Sequence, residues 1–349
     1  MLHFNSLVLI TTNICNLKCR HCYPTSGSSP VETFRYGSNK FMSVEQAERY
    51  VRQIPGLSNV NKILHFGGGE STLFAKEFKG LVALGKKYGL KASMVTNCSW
   101  AKDQKGADEF IGELKNFGMT RVQVSLSVFH QEFLSIEYPL RAIRACKRHG
   151  LDIVLRPIGT KSASVAKTLQ QFPDKDLEGV VICISKCLPV GRAKEEVPAD
   201  EFLYQNIDYG GCQKILNLTI RQDGSVYPCC AGSDITNELR LGNADTEPLF
   251  DILARAELDP LLIALIYQGP RYLAELLKEA DGKDFLKEKH VNICHLCNDL
   301  FINDEIAKQV REALESRLEK RWCPELIDAK KAREEAPSEA SFSSSAPVS

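Results

Sequence analysis

Apolar residues arrive in short bursts between residues 4 and 190, and most bursts are followed by a stretch with helical spacing. Leu7–Thr12, Ile63–Phe66, Ala92–Thr96, Val122–Leu126, Ile153–Pro157 and Val180–Ile184 are short apolar runs, which predicts strands. Between them the spacing predicts helices over Val44–Ile54, Lys76–Tyr88, Gln104–Phe117, Pro139–His149 and Val165–Phe172. Pro139 suits a first helical turn, and Gly89 and Gly150 suit helix ends. Strand–helix units in series imply a parallel sheet, and right-handed crossovers curve it into a barrel or part of one. The expected fold class is α/β, a partial (β/α)6 TIM-like barrel carrying a C-terminal α+β extension. In such sheets chemistry collects at the carboxyl ends of the strands, so the residues just after each strand matter most.

Past Pro189-Val190-Gly191-Arg192 the rhythm breaks. Leu216, Leu218 and Ile220 alternate before Asp223-Gly224, and Val226 follows, which predicts a hairpin. Helices are expected at Leu249–Ala256 and Arg271–Glu279. Ile306, Val310, Ala313, Leu314 and Leu318 make one apolar stripe on a closing helix. The final stretch is rich in Ser, Ala, Glu and Pro and is expected to be disordered. The expected divisions are residues 1–195, 196–323 and 324–349, and no internal repeat of fixed period is visible.

Charge narrows the function. The 44 Lys+Arg and 44 Asp+Glu cancel, so no bulk basic field exists to hold nucleic acid or an anionic membrane. No apolar run approaches the ~18 residues of a membrane span; the longest candidate is Leu261–Tyr267. Positions 1–12 alternate like a strand and show no basic leader or cleavage site, so a cytoplasmic protein is expected. In that compartment 13 cysteines point to metal or redox chemistry rather than to disulfides.

Cys15, Cys19 and Cys22 lie in ICNLKCRHCY, directly after the first expected strand. Three thiolates on one loop can hold three corners of a cubane and leave the fourth iron open; the alternative is a zinc site short of one ligand. Gly67, Gly68, Gly69 and Glu70 follow the second strand, where glycine lets the backbone approach a ligand. Together these motifs resemble the radical S-adenosylmethionine superfamily. The resemblance implies that the open iron binds the amino and carboxylate groups of S-adenosylmethionine, whose reductive cleavage gives a 5′-deoxyadenosyl radical. It also implies that Gly68, Gly69 and Glu70 meet the methionine amine. Ser125 in VSLSV would touch the ribose or carboxylate, and Arg156 would pair with the carboxylate. Asn97 in VTNCSW would lie near the adenosine, and His21 would pack flat beside the cofactor. Ser71 replaces the proline common after the glutamate, and Ser127 replaces an aspartate common after the serine.

A second group of cysteines closes the chain. Eleven residues separate Cys212 from Gly224 and four separate Gly224 from Cys229, while Cys294 and Cys297 form a Cys-x2-Cys pair. This pattern resembles the twitch domain, the shortened SPASM extension of peptide-modifying radical S-adenosylmethionine enzymes. The resemblance implies one auxiliary cluster on Cys212, Cys229, Cys294 and Cys297, giving two [4Fe-4S] clusters in all; four thiolates would equally suit a structural zinc. Cys146 reads as a core residue and Cys323 as irrelevant, while Cys98, Cys183 and Cys187 lie at strand ends near the expected cavity. Cys230 should point away from Cys229, since adjacent side chains on extended backbone face opposite ways. It is then a candidate hydrogen-atom donor at the barrel mouth, expected against an apolar wall, although it could instead be structural or replace Cys229 as ligand.

A donor thiol points to a peptide epimerase, and YPCC with CxxC before Leu300-Phe301 resembles enzymes that invert residues of ribosomal precursor peptides. The expected partners are a precursor peptide and a reductant such as flavodoxin or ferredoxin. Alternatives are a crosslinking maturase, a twitch-type dehydrogenase of small molecules, or a non-catalytic scaffold, which would not need the Gly-Gly-Glu turn. No room is expected before Leu7 for a precursor-recognition domain.

Overall fold

A computed structural model describes residues 2–23, 41–207, 210–212, 216–230, 236–282, 284–301 and 303–319. Five parallel strands run in sequence order: β1 (Ser6–Thr12), β2 (Ile63–Gly68), β3 (Lys91–Thr96), β4 (Met119–Leu126) and β5 (Asp152–Gly159). β6 (Val181–Ile182) and β7 (Ser185–Lys186) both pair with β5. On the other edge, β8 (Asn217–Ile220) runs parallel to β1, and β9 (Ser225–Tyr227) and β10 (Gly242–Asn243) continue the sheet antiparallel. The C-terminal hairpin therefore extends the barrel sheet directly, from the β1 side.

Helices α1 (Val44–Val51), α2 (Ala75–Lys87), α3 (Gln104–Phe117), α4 (Glu137–Arg148) and α5 (Val165–Leu169) supply the crossovers. Alternation sorts the strand side chains. Leu7, Leu9, Leu64, Phe66, Met94 and Val124 pack with Phe78, Ile111 and Ile143 of the helices in one buried cluster. The opposite positions of β4 and β5, including Gln123, Ser125 and Arg156, are half-buried and line the barrel interior. Removing that much apolar surface from water is the main source of stability, at ~25 cal/mol per Å2.

The C-terminal part adds α6 (Leu249–Ala256), α7 (Pro260–Tyr267), α8 (Gly269–Asp281), α9 (Ile293–Leu300) and α10 (Asp304–Glu319). α8 packs against α7, α9 and α10. Arg311 of α10 is buried and meets Glu238 Oε2 at 2.6 Å and Asp259 Oδ2 at 3.2 Å. No described helix is long and apolar enough to cross a membrane.

Several expected elements change length. The sixth strand breaks into β6 and β7, leaving Val181 and Ile184 exposed at the open edge, with pairing only to β5. The first helix ends at Val51 and a separate 3-10 turn, Ile54–Gly56, follows, because Pro55 cannot donate the next helical hydrogen bond. α5 stops at Leu169, short of Phe172 and Pro173. Two helices of the C-terminal part go beyond what the spacing predicts. α7 reads PLLIALIY and carries no polar face, so periodicity cannot mark it; Asp259 caps it by accepting from Leu262 N at 3.0 Å. α9 carries Cys294 and Cys297 and is capped by Asn292, which accepts from His295 N at 3.1 Å. Cys323 and the tail lie outside the described residues.

Candidate active site

The loop after β1 is held from three sides. β2 reaches it through backbone bonds from Gly69 N to Thr12 O (2.7 Å) and from Glu70 N to Ile14 O (2.9 Å). Gly69 must be glycine for this approach, because a Cβ would run into the Ile14 carbonyl. Gly68 sits at φ 117°, where the β1–β2 register shifts between Ile10 and Thr12. From β3, Asn97 Nδ2 donates to Asn16 Oδ1 at 3.0 Å and approaches Cys15 Sγ at 3.8 Å. From the end of the barrel, Arg192 N and Nη1 each donate at 3.1 Å, to Cys22 O and Cys19 O respectively. Gly191, at φ 56°, lies so close that a Cβ would strike the Tyr23 carbonyl.

Cys15, Cys19 and Cys22 are thereby brought together. Burial pushes the Cys15 thiol up to about 11, with the Glu70 and Cys22 charges adding to it. Burial pushes Cys19 up to about 12, reinforced by Cys15 and Cys22. Binding a cation would displace these protons, and Leu17 N, 3.5 Å from Cys15 Sγ, is placed to support a thiolate. Both amide atoms of Asn13, a residue 5% exposed, are buried without a hydrogen-bond partner beside this loop. A thiol triad and an orphaned amide, on a loop that Gly69 holds by close backbone approach, fit an iron–sulfur cluster with a polar ligand on it.

The remaining motif residues separate by role. Glu70 is 1% exposed and turned inward. Its carboxylate accepts from Thr72 Oγ1 at 2.5 Å, Thr96 Oγ1 at 2.8 Å and Asn97 N at 2.7 Å, while burial raises its pKa. Ser125 and Arg156 are register partners on β4 and β5. Arg156 Nη1 donates to Gln123 Oε1 at 2.7 Å, and Gln123 Nε2 reaches Ser93 Oγ and His65 Nδ1 at 3.4 Å each. This polar belt crosses four strands inside the barrel and was not read from the sequence. Burial, then the Arg156 and Arg121 charges, hold His65 down to about 4. His21 stacks on Phe129 at 4.9 Å, and burial takes it to about 3, with His130 and Arg192 adding to the fall. Ser127 is committed to His130, with Oγ 2.7 Å from Nδ1.

The C-terminal cysteines come from separate elements. Cys212 is fixed to α7 by its N–H bond to Leu265 O at 2.8 Å, Cys229 follows β9, and Cys294 and Cys297 ride on α9. Burial raises the Cys297 thiol, followed by the charges of Cys229, Cys212 and Cys294, so the four lie near one another. Among the described residues, no group of three or more ligating side chains is drawn together tightly enough to hold a metal ion. Four thiols in one neighbourhood suit an iron–sulfur centre by donor chemistry, as they would a zinc ion. Cys230 is exposed, so among the described residues no apolar wall covers it as expected. Cys183 is exposed too; Cys98 and Cys146 belong to the main core, and Cys187 packs against the Cys15 loop.

The two cysteine regions meet at Tyr23. Its hydroxyl accepts from Asn298 Nδ2 at 3.4 Å, and burial raises its pKa, with Cys229, Cys297, Cys294 and Cys230 adding to the rise. Tyr23, Gly191 and Arg192 had no role in the sequence reading. Their only signal was position: next to Cys22, and at the break in the strand–helix rhythm.

Comparison with known proteins finds a family match over each cysteine region. Residues 9–164 match the radical SAM superfamily, and residues 212–298 match the SPASM iron-sulfur cluster-binding domain. A 152-residue stretch is 26% identical to Fe-coproporphyrin III synthase of Methanosarcina barkeri (strain Fusaro / DSM 804), covering 42% of this chain and 34% of that relative. The chain thus spans about a third of the curated relative it matches. Among solved structures, native anSMEcpe with bound AdoMet superposes with a TM-score of 0.54 at 18% identity, over 90% of this chain and 98% of that one. The same protein with bound AdoMet and Kp18Cys peptide gives 0.53 at 18% identity, over 93% and 99%. At that identity the likeness establishes the fold.

Proposed function

We propose that this chain, a radical S-adenosylmethionine enzyme with a SPASM iron–sulfur domain, inverts L-residues of a ribosomally made peptide to D-residues. When bound, S-adenosylmethionine and its cluster supply a carbon radical that takes a hydrogen atom from an unactivated carbon. The protein's own residues must place that carbon and settle its fate. Ser125 and Arg156, side by side on β4 and β5, offer a hydroxyl and a guanidinium suited to a carboxylate. Gly68, Gly69 and Asn13 line the approach to the Cys15 loop. Glu70 acts through its neighbours, fixing the ends of β2 and β3 with three accepted hydrogen bonds.

One observation carries the epimerase reading: two adjacent cysteines lie in different surroundings. Cys229 is half-buried with the C-terminal set, and Cys230 is exposed. A peptide lying over Cys230 could receive its S–H hydrogen atom on the face opposite the abstraction, forming a C–H bond and breaking the S–H bond. Cys230 would then need one electron and one proton, which a reductant such as ferredoxin or flavodoxin and the solvent supply. Thiol protons exchange with water, so turnover in D2O should place one deuterium in the peptide per residue inverted, and Cys230→Ala should give cofactor cleavage without D-residues. A product lighter by about 2 Da, made equally well by Cys230→Ala, would replace this reading with a crosslinking one, since two hydrogens leave in that redox balance.

A further inference from the structure

We propose that Tyr23 is a positioning residue between the two cysteine sets, its phenolic O–H donating to a sulfur of the C-terminal centre and holding up that centre's reduction potential. The inference rests on Cys212, Cys229, Cys294 and Cys297 forming one iron–sulfur centre.

Backbone geometry fixes where Tyr23 can reach. It directly follows Cys22, and its carbonyl is hemmed in by the close approach of Gly191, while the adjoining Cys22 carbonyl is held by Arg192 N. Its side chain extends the other way, to α9, where Asn298 Nδ2 donates to Oη at 3.4 Å. Asn298 is the residue after Cys297. A phenol that accepts from an amide keeps its own proton to donate. Cys229, Cys297, Cys294 and Cys230 lie close enough for their charges to bear on this hydroxyl, and their sulfurs can accept a hydrogen bond from it. Hydrogen bonds to cluster sulfurs stabilise the more negative, reduced state, and so raise the potential. The same side chain therefore sets the spacing between the Cys15 loop and α9 and tunes the centre on α9. The contacts that reach Cys15 and Cys19 among the described residues come instead from their own loop, from β3 and from the barrel's end.

The test is redox titration of both centres by electron paramagnetic resonance, with iron counted per chain. Tyr23→Phe keeps the ring and removes the hydroxyl. The C-terminal centre should become about tenfold harder to reduce, equal to ~59 mV for one electron, while the N-terminal centre moves much less. Asn298→Leu should shift it in the same direction by a smaller amount, and the double variant should shift it no further than Tyr23→Phe alone, because both act through one hydroxyl. An unchanged C-terminal potential at full iron, or equal shifts at both centres, overturns the proposal. If Tyr23→Phe sheds C-terminal iron, Asn298→Leu decides: a downward shift supports the proposal and an unchanged potential overturns it. Zinc in place of the C-terminal centre in the wild type would overturn the cluster assignment and this inference together. A normal auxiliary signal indifferent to Tyr23 overturns the inference alone.

Discussion

The two cysteine sets are built by opposite strategies. Cys15, Cys19 and Cys22 share one loop, and the scaffold comes to them: Gly69 and Glu70 from β2, Asn97 from β3, Arg192 from the barrel's end. Cys212, Cys229, Cys294 and Cys297 are carried to their meeting point by a loop, a strand end and a helix, so the fold of the whole C-terminal part must form before they converge. A local set can hold its shape while its surroundings shift. A dispersed set inherits every weakness of the elements that bring it together. The first suits a site that must bind the same cofactor in every turnover. The second suits a centre whose mouth can be shaped to a substrate.

The largest expected effect separates the two by chemistry. Changing Cys15, Cys19 and Cys22 to Ala should remove about half of the roughly eight iron expected for two cubanes and abolish S-adenosylmethionine cleavage. Changing Cys294 and Cys297 to Ala should remove a similar share of iron but leave cleavage measurable as 5′-deoxyadenosine. Equal loss of cleavage in both variants would mean that the C-terminal centre is needed for the first step, and the division of labour drawn here would fail.

A smaller effect tests the dependence of the dispersed set on its scaffold. Arg311 is 5% exposed as a side chain and serves both Glu238 and Asp259, which tie α10 to the turn Asn237–Leu239 and to the cap of α7. Arg311→Leu leaves Glu238, itself only 14% exposed, without that cation, at a cost of ~3–5 kcal/mol. α7 also receives the Cys212 backbone through Leu265, so the damage should reach the ligand set. The expected outcome is a lower melting temperature with preferential loss of C-terminal iron, followed by the spectra of the two centres. Uniform iron loss would show that the sets do not differ in this way.

The same contrast explains what the sequence revealed. β1 to β5 were legible because each is a short apolar run between amphipathic helices, and α3 ends where its pattern ends, with Asp103 capping one end and Gly118 the other. The Cys15 loop was legible because its ligands are close in sequence. The supports at Gly191 and Arg192 were not, because their partners lie far away along the chain and neither residue type announces such a contact. α7 was hidden by lacking a polar face, and β6 by a run of apolar residues that the structure leaves partly exposed. The direction of the Glu70 carboxylate was equally out of reach: the motif marks the position, while Thr72, Thr96 and Asn97 decide that the side chain turns inward.

The smallest expected effect concerns how the two regions answer acid. In the barrel, His65 lies on the belt that leads to Arg156, and burial together with the Arg156 and Arg121 charges holds it down to about 4 from an ordinary 6.5. In the C-terminal part His295 is also held to about 4 by burial, but Asp299 lies 3.6 Å away and favours its proton. The unfolded chain takes up the His65 proton as pH falls through about 6.5, whereas the folded chain resists until about 4. Across that interval the unfolded state binds more protons, so stability is full above 6.5 and declines as pH falls. His65→Gln retains a side chain able to bond Ser93 and cannot titrate. It should therefore flatten the fall of denaturation midpoint between about pH 6.5 and about pH 5 by up to one proton's worth of slope. His295→Gln should flatten it by a similar amount, because that ring is also held to about 4 with the Asp299 charge already counted. A slope unchanged by His65→Gln would mean that the barrel interior opens to water before its histidine charges, and the belt would then be a hydrated surface instead of a fixed part of the site.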